Sequence, residues 1–129
     1  MLSEFVKSAD WKSEKHVPVI ECAETVKAGD ALAIAVTVGK EIAHPNTTNH
    51  HISWIALHFV PVGAKVSIEI GRCEFSAHGA SVEGPDKGPA FTDSTLTIRA
   101  KLAVSGTLYA TSFCNIHGLW SSEKAVVVA

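Results

Sequence analysis

The sequence predicts an all-β fold, and three of its features carry that prediction. Apolar residues alternate with polar or small ones over 32–38 and again over 95–102, which is typical of strands with one buried face. Turn-forming residues recur between such segments at intervals of about ten residues. No pattern of helical spacing is present beyond a short one at the N-terminus. We therefore expect an antiparallel, immunoglobulin-like β-sandwich of about seven strands, with a short N-terminal arm or helix.

The individual elements follow from local pattern. Leu2, Phe5 and Val6 are spaced like one face of a short helix. Pro18 cannot donate a hydrogen bond within a sheet, so the strand predicted over 17–20 begins at this residue or lies at a sheet edge. Further strands are predicted at Leu32–Val38, His51–Val60, Val66–Phe75, Leu96–Leu102, Thr107–Phe113 and Lys124–Val128. Two segments, 41–49 and 77–93, contain the turn and breaker residues of loops.

Composition narrows the possible functions. A chain of 129 residues suits a single domain with one core, and we expect one domain over 1–129. The formal net charge of -2 gives no electrostatic reason to expect nucleic acid or a membrane surface as a partner. No apolar run is long enough to span a bilayer, and residues 1–12 lack the apolar centre of a signal peptide. We expect a soluble, cytoplasmic protein.

The three cysteines do not form a familiar zinc or disulfide pattern. Cys22, Cys73 and Cys114 are far apart, and the sequence contains no Cys-x-x-Cys pair. A zinc ribbon or a four-cysteine iron site is therefore excluded, and a disulfide framework is not expected in the cytoplasm. Cys22 and Cys73 lie in or beside predicted strands and are interpreted as small core residues.

Cys114 is different because a histidine follows three residues later. The stretch Cys114-Asn115-Ile116-His117-Gly118 comes directly after a predicted strand. A thiolate and an imidazole this close suit a transition metal of intermediate softness. The chain has seven histidines but one methionine, and histidine is the commonest metal ligand. The other ligands are therefore sought among the histidines.

The predicted strands separate the histidines into two kinds. Four of them lie at strand ends or in loops, where a rigid sandwich can present ligands; these are His16, His44, His50 and His117. His44 precedes Pro45, which restricts its backbone to extended conformations.

The remaining histidines are less clearly placed. His51 follows His50, and two adjacent strand residues point to opposite faces, so the pattern alone does not choose between them. His58 is interpreted as a packed strand residue and His78 as a solvated loop residue.

Other kinds of protein fit the sequence less well. A blue-copper site also uses a late Cys–His loop in a β-sandwich, but it normally needs an axial methionine. The single methionine here is Met1, so that ligand is missing. A structural zinc site or a plain binding module would leave the charged pair Glu14-Lys15 and the abundant histidines unexplained.

Taken together, three stretches resemble the superoxide reductases of the one-iron neelaredoxin type, in the desulfoferrodoxin family. The stretches are Glu14-Lys15-His16-Val17-Pro18, His44-Pro45-Asn46 with Asn49-His50-His51-Ile52-Ser53-Trp54, and Cys114-Asn115-Ile116-His117-Gly118-Leu119-Trp120. The resemblance implies a mononuclear iron with four equatorial histidines and one axial cysteine. By that resemblance the ligands are His16, His44, His50, His117 and Cys114, with Glu14 as a sixth ligand on oxidation and Lys15 beside the open position.

The resemblance also implies an activity and partners. It implies one-electron reduction of superoxide to hydrogen peroxide, with rubredoxin or a similar small redox protein returning the electron. Some members of the family carry an additional N-terminal domain with a four-cysteine iron centre, and this sequence has no such cysteines. The family's short form implies a homo-oligomer, a homotetramer in most cases.

Overall fold

The computed structural model describes residues 1–129 and contains nine strands and one short 3-10 helix. The helix is Leu2–Glu4, and the strands are β1 (Val6–Lys7), β2 (Pro18–Glu21), β3 (Thr25–Val26), β4 (Ala31–Val38), β5 (Ile52–Pro61), β6 (Ile68–Glu74), β7 (Thr95–Lys101), β8 (Gly106–Cys114) and β9 (Gly118–Val128). The prediction of an all-β fold is confirmed. No helix is both long and apolar enough to cross a membrane.

The strands form two sheets. The larger has the order β1-β9-β8-β5-β6, with β3 also paired to β9, and the smaller has the order β2-β4-β7. In the larger sheet the long strands pair antiparallel, whereas the two-residue strands β1 and β3 lie parallel to β9. Pro18 begins β2, which is an edge strand of the smaller sheet, as expected for a residue without an amide hydrogen.

The core fills the space between these sheets. The alternation predicted along β4 is confirmed, because Leu32, Ile34, Val36 and Val38 are all buried. They belong to one cluster of 16 buried residues that includes Leu57 and others from the larger sheet. Each such side chain contributes roughly 1.5–3 kcal/mol when it leaves water. This rigid core supports the loops at its ends.

Several predicted boundaries are wrong for physical reasons. The last strand begins at Gly118 rather than Lys124, because pairing with β8 continues along the hairpin as far as Cys114 opposite Gly118. The two extra strands, β1 and β3, are too short to produce a periodic pattern. The predicted apolar face of the N-terminal helix is not buried, since Leu2 and Phe5 are 67% and 66% exposed.

One end of the sandwich gathers the segments that carry the predicted metal ligands. Strand β8 ends at Cys114, which lies opposite Ile52 at the start of β5. A connection of three residues, 115–117, joins β8 to β9. Gly118 has a φ of 83°, a left-handed conformation that favours glycine and lets the hairpin turn this tightly. The segment before β5 therefore lies beside the Cys114–His117 connection.

Candidate metal centre

Four imidazoles meet at this end of the sandwich, and we call them the four-histidine group: His16, His44, His50 and His117. Neighbouring ring centroids are 4.9 Å apart for His16–His44, 4.9 Å for His44–His50, 5.0 Å for His50–His117 and 4.7 Å for His117–His16. The four rings therefore form a closed cycle, although three distant segments of the chain supply them. Most of the contacts are edge-on, so the rings surround a common centre rather than stack.

The thiol of Cys114 lies against this group. Its sulfur is 3.7 Å from His117 Nδ1 and accepts a hydrogen bond from the His117 backbone N–H at 3.3 Å. The side chain is almost fully buried. The donor atoms of His16, His50, His117 and Cys114 all lie within 4.8 Å of one another. That spacing is compact enough for one metal ion to contact all four.

The distances and the unpaired atoms fit a metal ion. His16 Nε2 and His117 Nδ1 are 3.1 Å apart, which matches the separation of about 3 Å for two imidazole nitrogens bound at right angles with bonds of about 2.1 Å. His44 Nδ1 lies 2.7 Å from the Pro45 carbonyl oxygen, leaving its Nε2 free. The Nε2 atoms of His44 and His50 are both buried without a hydrogen-bond partner. Such atoms are rare in proteins, and a metal ion would satisfy them.

His44 stands slightly apart from the others. Its donor atom is not within the 4.8 Å set, although its ring contacts those of both His16 and His50. The predicted equatorial role of His44 stays a prediction, and the unpaired Nε2 is the observation in its favour.

The electrostatics keep His44 and His50 neutral, which is the form that binds metals. Burial lowers the pKa of His44 to about 4, and the neighbouring His16 and His50 act in the same direction. Burial, followed by repulsion from His117 and His16, also lowers the pKa of His50. At neutral pH the nitrogen lone pairs are therefore available without loss of a proton.

Glu14 contacts His16 on the side away from the centre. Its Oε1 lies 2.5 Å from His16 Nδ1 and accepts a hydrogen bond from the His16 backbone N–H at 3.0 Å. Partial burial opposes ionisation of Glu14, but these hydrogen bonds outweigh it and lower the pKa of the carboxyl. A carboxylate on the far nitrogen fixes the orientation of a ligating histidine. The predicted role of Glu14 as a sixth ligand stays a prediction.

Lys15 directly precedes His16 in the sequence, and its side chain is half-buried. It forms no ion pair with a carboxylate. After burial and the neighbouring histidines, its positive charge contributes to the lowered pKa of both His44 and His50. The ammonium charge therefore acts on the centre without being neutralised.

The comparisons with known proteins agree with this geometry. The profile of the Desulfoferrodoxin family matches residues 8–123. The chain belongs to the desulfoferrodoxin family. It is 52% identical to neelaredoxin from Megalodesulfovibrio gigas over 127 residues, which cover 98% of each protein. It is 50% identical to superoxide reductase from Pyrococcus furiosus over 123 residues, covering 95% of this chain and 97% of that protein.

A solved structure of another relative shares the fold. Superoxide reductase (neelaredoxin) from Archaeoglobus fulgidus in the reduced form superimposes with a TM-score of 0.89 at 50% sequence identity, covering 96% of this chain and 99% of that one.

Residues that the sequence analysis did not assign hold the ligands in place. Asn115 links two of the ligand segments, because its backbone N–H donates to the His51 carbonyl, its Oδ1 accepts from the His51 N–H, and its Nδ2 donates to the Asn49 carbonyl. Ser112 donates a buried hydrogen bond to the His16 carbonyl at 3.2 Å. Trp120 stacks on the His16 ring at 4.9 Å. Asn115 and Trp120 are part of the recognised motif, whereas nothing in the sequence marks Ser112.

The other histidines have different surroundings. The His51 ring stacks on His78, whereas the His50 ring contacts His44 and His117, so the structure separates the two adjacent residues that periodicity left unresolved. His58 lies in β5 with 33% of its side chain exposed and its Nε2 3.6 Å from Glu69. The prediction that His78 is solvated is wrong: it is only 9% exposed, because it packs under the loop that carries His44 and His50.

The two remaining cysteines are separate from this centre. Cys22 and Cys73 are free, half-buried thiols packed at the margin of the hydrophobic core. They are not part of the His–Cys group. Burial raises the pKa of the Cys22 thiol, which keeps it protonated and unreactive at neutral pH.

The lowered pKa of His44 predicts a pH-dependent stability for the metal-free protein. Below about pH 6.5 the unfolded chain takes up a proton at His44, whereas the folded chain does so only near pH 4. As the pH is lowered from about 6.5 to about 4, the free energy of unfolding should therefore fall by up to about 1.4 kcal/mol per pH unit. Urea unfolding at about pH 7, 6 and 5 measures it.

His44→Gln is the matched variant, since it removes the titrating group but keeps a polar side chain. Its stability should depend less steeply on pH than that of the wild-type chain. Equal slopes in the two proteins would show that His44 is not the buried neutral group described here.

Proposed function

We propose that this chain is a superoxide reductase that reduces superoxide by one electron to hydrogen peroxide at a mononuclear iron centre. The single observation that carries the proposal is the closed group of four imidazoles with a buried thiol against it. Relatives at 50% identity or more over nearly the whole chain, named neelaredoxin and superoxide reductase, support the choice of substrate.

The proposed ligand set has five members. They are His16 through Nε2, His44 through Nε2, His50 through Nε2, His117 through Nδ1, and Cys114 through Sγ. Imidazole suits several transition metals and thiolate adds softness, and a set of five leaves one octahedral position open for substrate. Iron fits this set better than zinc, which is usually four-coordinate in proteins.

When bound, iron supplies the electron that converts superoxide and two protons into hydrogen peroxide, and the Cys114 thiolate donates charge to it. The O–O bond stays intact in this reaction. The protein's own residues hold the centre in place: Glu14 and Ser112 fix His16, and Asn115 ties the Cys114–His117 connection to the segment that carries His50. In the oxidised protein, Glu14 would be the sixth ligand of the iron.

Lys15 brings the substrate to the centre. Superoxide is an anion, and an ammonium group without a carboxylate partner raises the local concentration of anions and their rate of association. The same group orients a water molecule that delivers a proton to the product. Its electrostatic effect on His44 and His50 supports this placement.

The electron comes from a separate donor, rubredoxin or a similar small redox protein. In support, the His–Cys group contains one thiol, and Cys22 and Cys73 form no second group of ligands.

The working protein is a cytoplasmic homo-oligomer, a homotetramer of single-domain chains. The exposed apolar side chains of Val62, Val66 and Ile68 support association between copies.

Product stoichiometry tests the function. Iron-loaded, reduced protein is supplied with superoxide at a known rate, and hydrogen peroxide and dioxygen are both measured. A reductase forms one peroxide for each superoxide and no dioxygen, while one electron is drawn from the protein. One peroxide and one dioxygen for every two superoxide ions would identify a dismutase and contradict the proposal. Metal-free protein is the control.

Removal of the Lys15 charge should slow the capture of superoxide. For Lys15→Ala we expect a roughly tenfold lower second-order rate constant at low ionic strength, at unchanged iron content, and a difference that shrinks as salt screens the charge. Stopped-flow or pulse radiolysis measures it. Lys12→Ala is the matched control, since Lys12 lies over Trp11 in the same segment. Equal rates for the two variants would rule out a steering role for Lys15.

A further inference from the structure

His78 is a buried histidine with no place in the proposed ligand set. It lies in the long irregular segment 77–93, and both of its ring nitrogens already have oxygen partners. Nε2 is 2.6 Å from the Phe75 carbonyl oxygen, and Nδ1 is 2.8 Å from Asn46 Oδ1. A ring with both nitrogens engaged is not available to a metal, so the function of His78 must be sought in the residues it contacts.

These contacts reach neighbours of both proposed ligands in one loop, His44 and His50; we define this ligand loop as residues 44–51. Asn46, which is hydrogen-bonded to His78, comes two residues after His44. The His78 ring stacks on His51, next to His50, with centroids 3.6 Å apart and an angle of 2° between the planes. Between them, Thr48 Oγ1 donates to the His78 carbonyl at 3.2 Å. His78 thus contacts the beginning, middle and end of the ligand loop.

His78 is itself held firmly. Phe75 is buried in the core, and its backbone N–H donates to the Ser53 carbonyl at 2.9 Å, so the carbonyl that His78 contacts belongs to the rigid sandwich. The Asn46 amide is oriented by a hydrogen bond from its Nδ2 to the Thr92 carbonyl at 3.0 Å. His78 therefore connects the ligand loop to the core through fixed partners.

The ligand loop needs such a connection because it contains no strand or helix. Its conformation depends on side-chain hydrogen bonds rather than on a ladder of backbone bonds. The opposite side of the centre is different, since Cys114 and His117 are held by the β8–β9 hairpin. A histidine ligand displaced by a fraction of an ångström binds its metal less well.

We propose that His78 is a positioning residue, which sets the places of His44 and His50 around the metal through Asn46 and His51. The inference rests on the proposed metal centre. It assigns a role to segment 77–93, for which the sequence predicted only a loop.

His78→Phe tests the proposal, because phenylalanine keeps a flat ring against His51 but loses the polar contacts of both ring nitrogens with Phe75 and Asn46. We expect iron affinity, measured by competition with a chelator, to fall tenfold or more, and the visible thiolate-to-iron absorption band to shift. His58→Phe is the matched control, since it makes the same change in β5, away from the centre. It should leave both the affinity and the band unchanged.

A second variant keeps the test decisive if His78→Phe folds poorly. Asn46→Ala breaks the same link from the other end without altering a buried position, and it should weaken iron binding to a similar extent. In the double variant, the two losses should be less than additive, because both act on one connection.

Iron affinity and spectrum of His78→Phe equal to wild type would overturn the inference. So would fully additive losses in the double variant, which would mean that His78 does not act through Asn46. Failure of the wild-type chain itself to bind iron would instead contradict the proposed function, so the two failures are distinguishable.

Discussion

The structure depends on keeping four imidazoles and a thiol close together, with His16 and Cys114 buried and His117 at the exposed side of the group. If the rings were charged they would repel one another, and if they stayed neutral without partners their buried nitrogens would be left unsatisfied. Burial resolves the first difficulty by lowering the pKa of His44 and His50. A metal ion would resolve the second, because it would accept the unpaired lone pairs of both rings at once. Metal binding would therefore remove the free-energy cost of burying these unpaired nitrogens and stabilise the folded protein.

The sandwich holds the two sides of the centre by different means. One side is a hairpin whose backbone pairing continues up to Cys114 and Gly118, so the thiol and His117 inherit the rigidity of the sheet. The other side is the loop carrying His44 and His50, which is fixed by the side chains of Asn115, Asn46 and His78. Such an arrangement makes the positions of Cys114 and His117 rigid, whereas the positions of His44 and His50 depend on the surrounding hydrogen bonds.

Much of the fold could be predicted from the sequence, because its long strands have one buried face. The alternation over β4 and β7 indicated both strands and their core residues, and Pro18 marked a strand start and sheet edge. Strands β1 and β3 escaped prediction because two residues cannot show a period. The start of β9 escaped it because backbone pairing with β8, rather than side-chain pattern, extends that strand.

At the candidate site, the residue types predicted a metal centre, but the sequence did not reveal the three-dimensional surroundings of each histidine. Histidines at strand ends and a Cys–His spacing pointed to a metal, but periodicity gave no choice between His50 and His51. The resemblance favoured His50, and the structure places that residue in the four-histidine group. His78 was misjudged because its burial comes from contacts with residues 30 positions away, which a local pattern of glycines does not reveal. The burial of such a residue is determined by contacts between segments that are distant in the sequence.

The most direct test of the metal centre is anomalous X-ray scattering at the iron absorption edge, from crystals of iron-loaded protein. The account predicts one peak within the four-histidine group, at bonding distance from Nε2 of His16, His44 and His50, from Nδ1 of His117 and from Sγ of Cys114. A peak elsewhere, or one bound by the other four residues but not by His44, would contradict it.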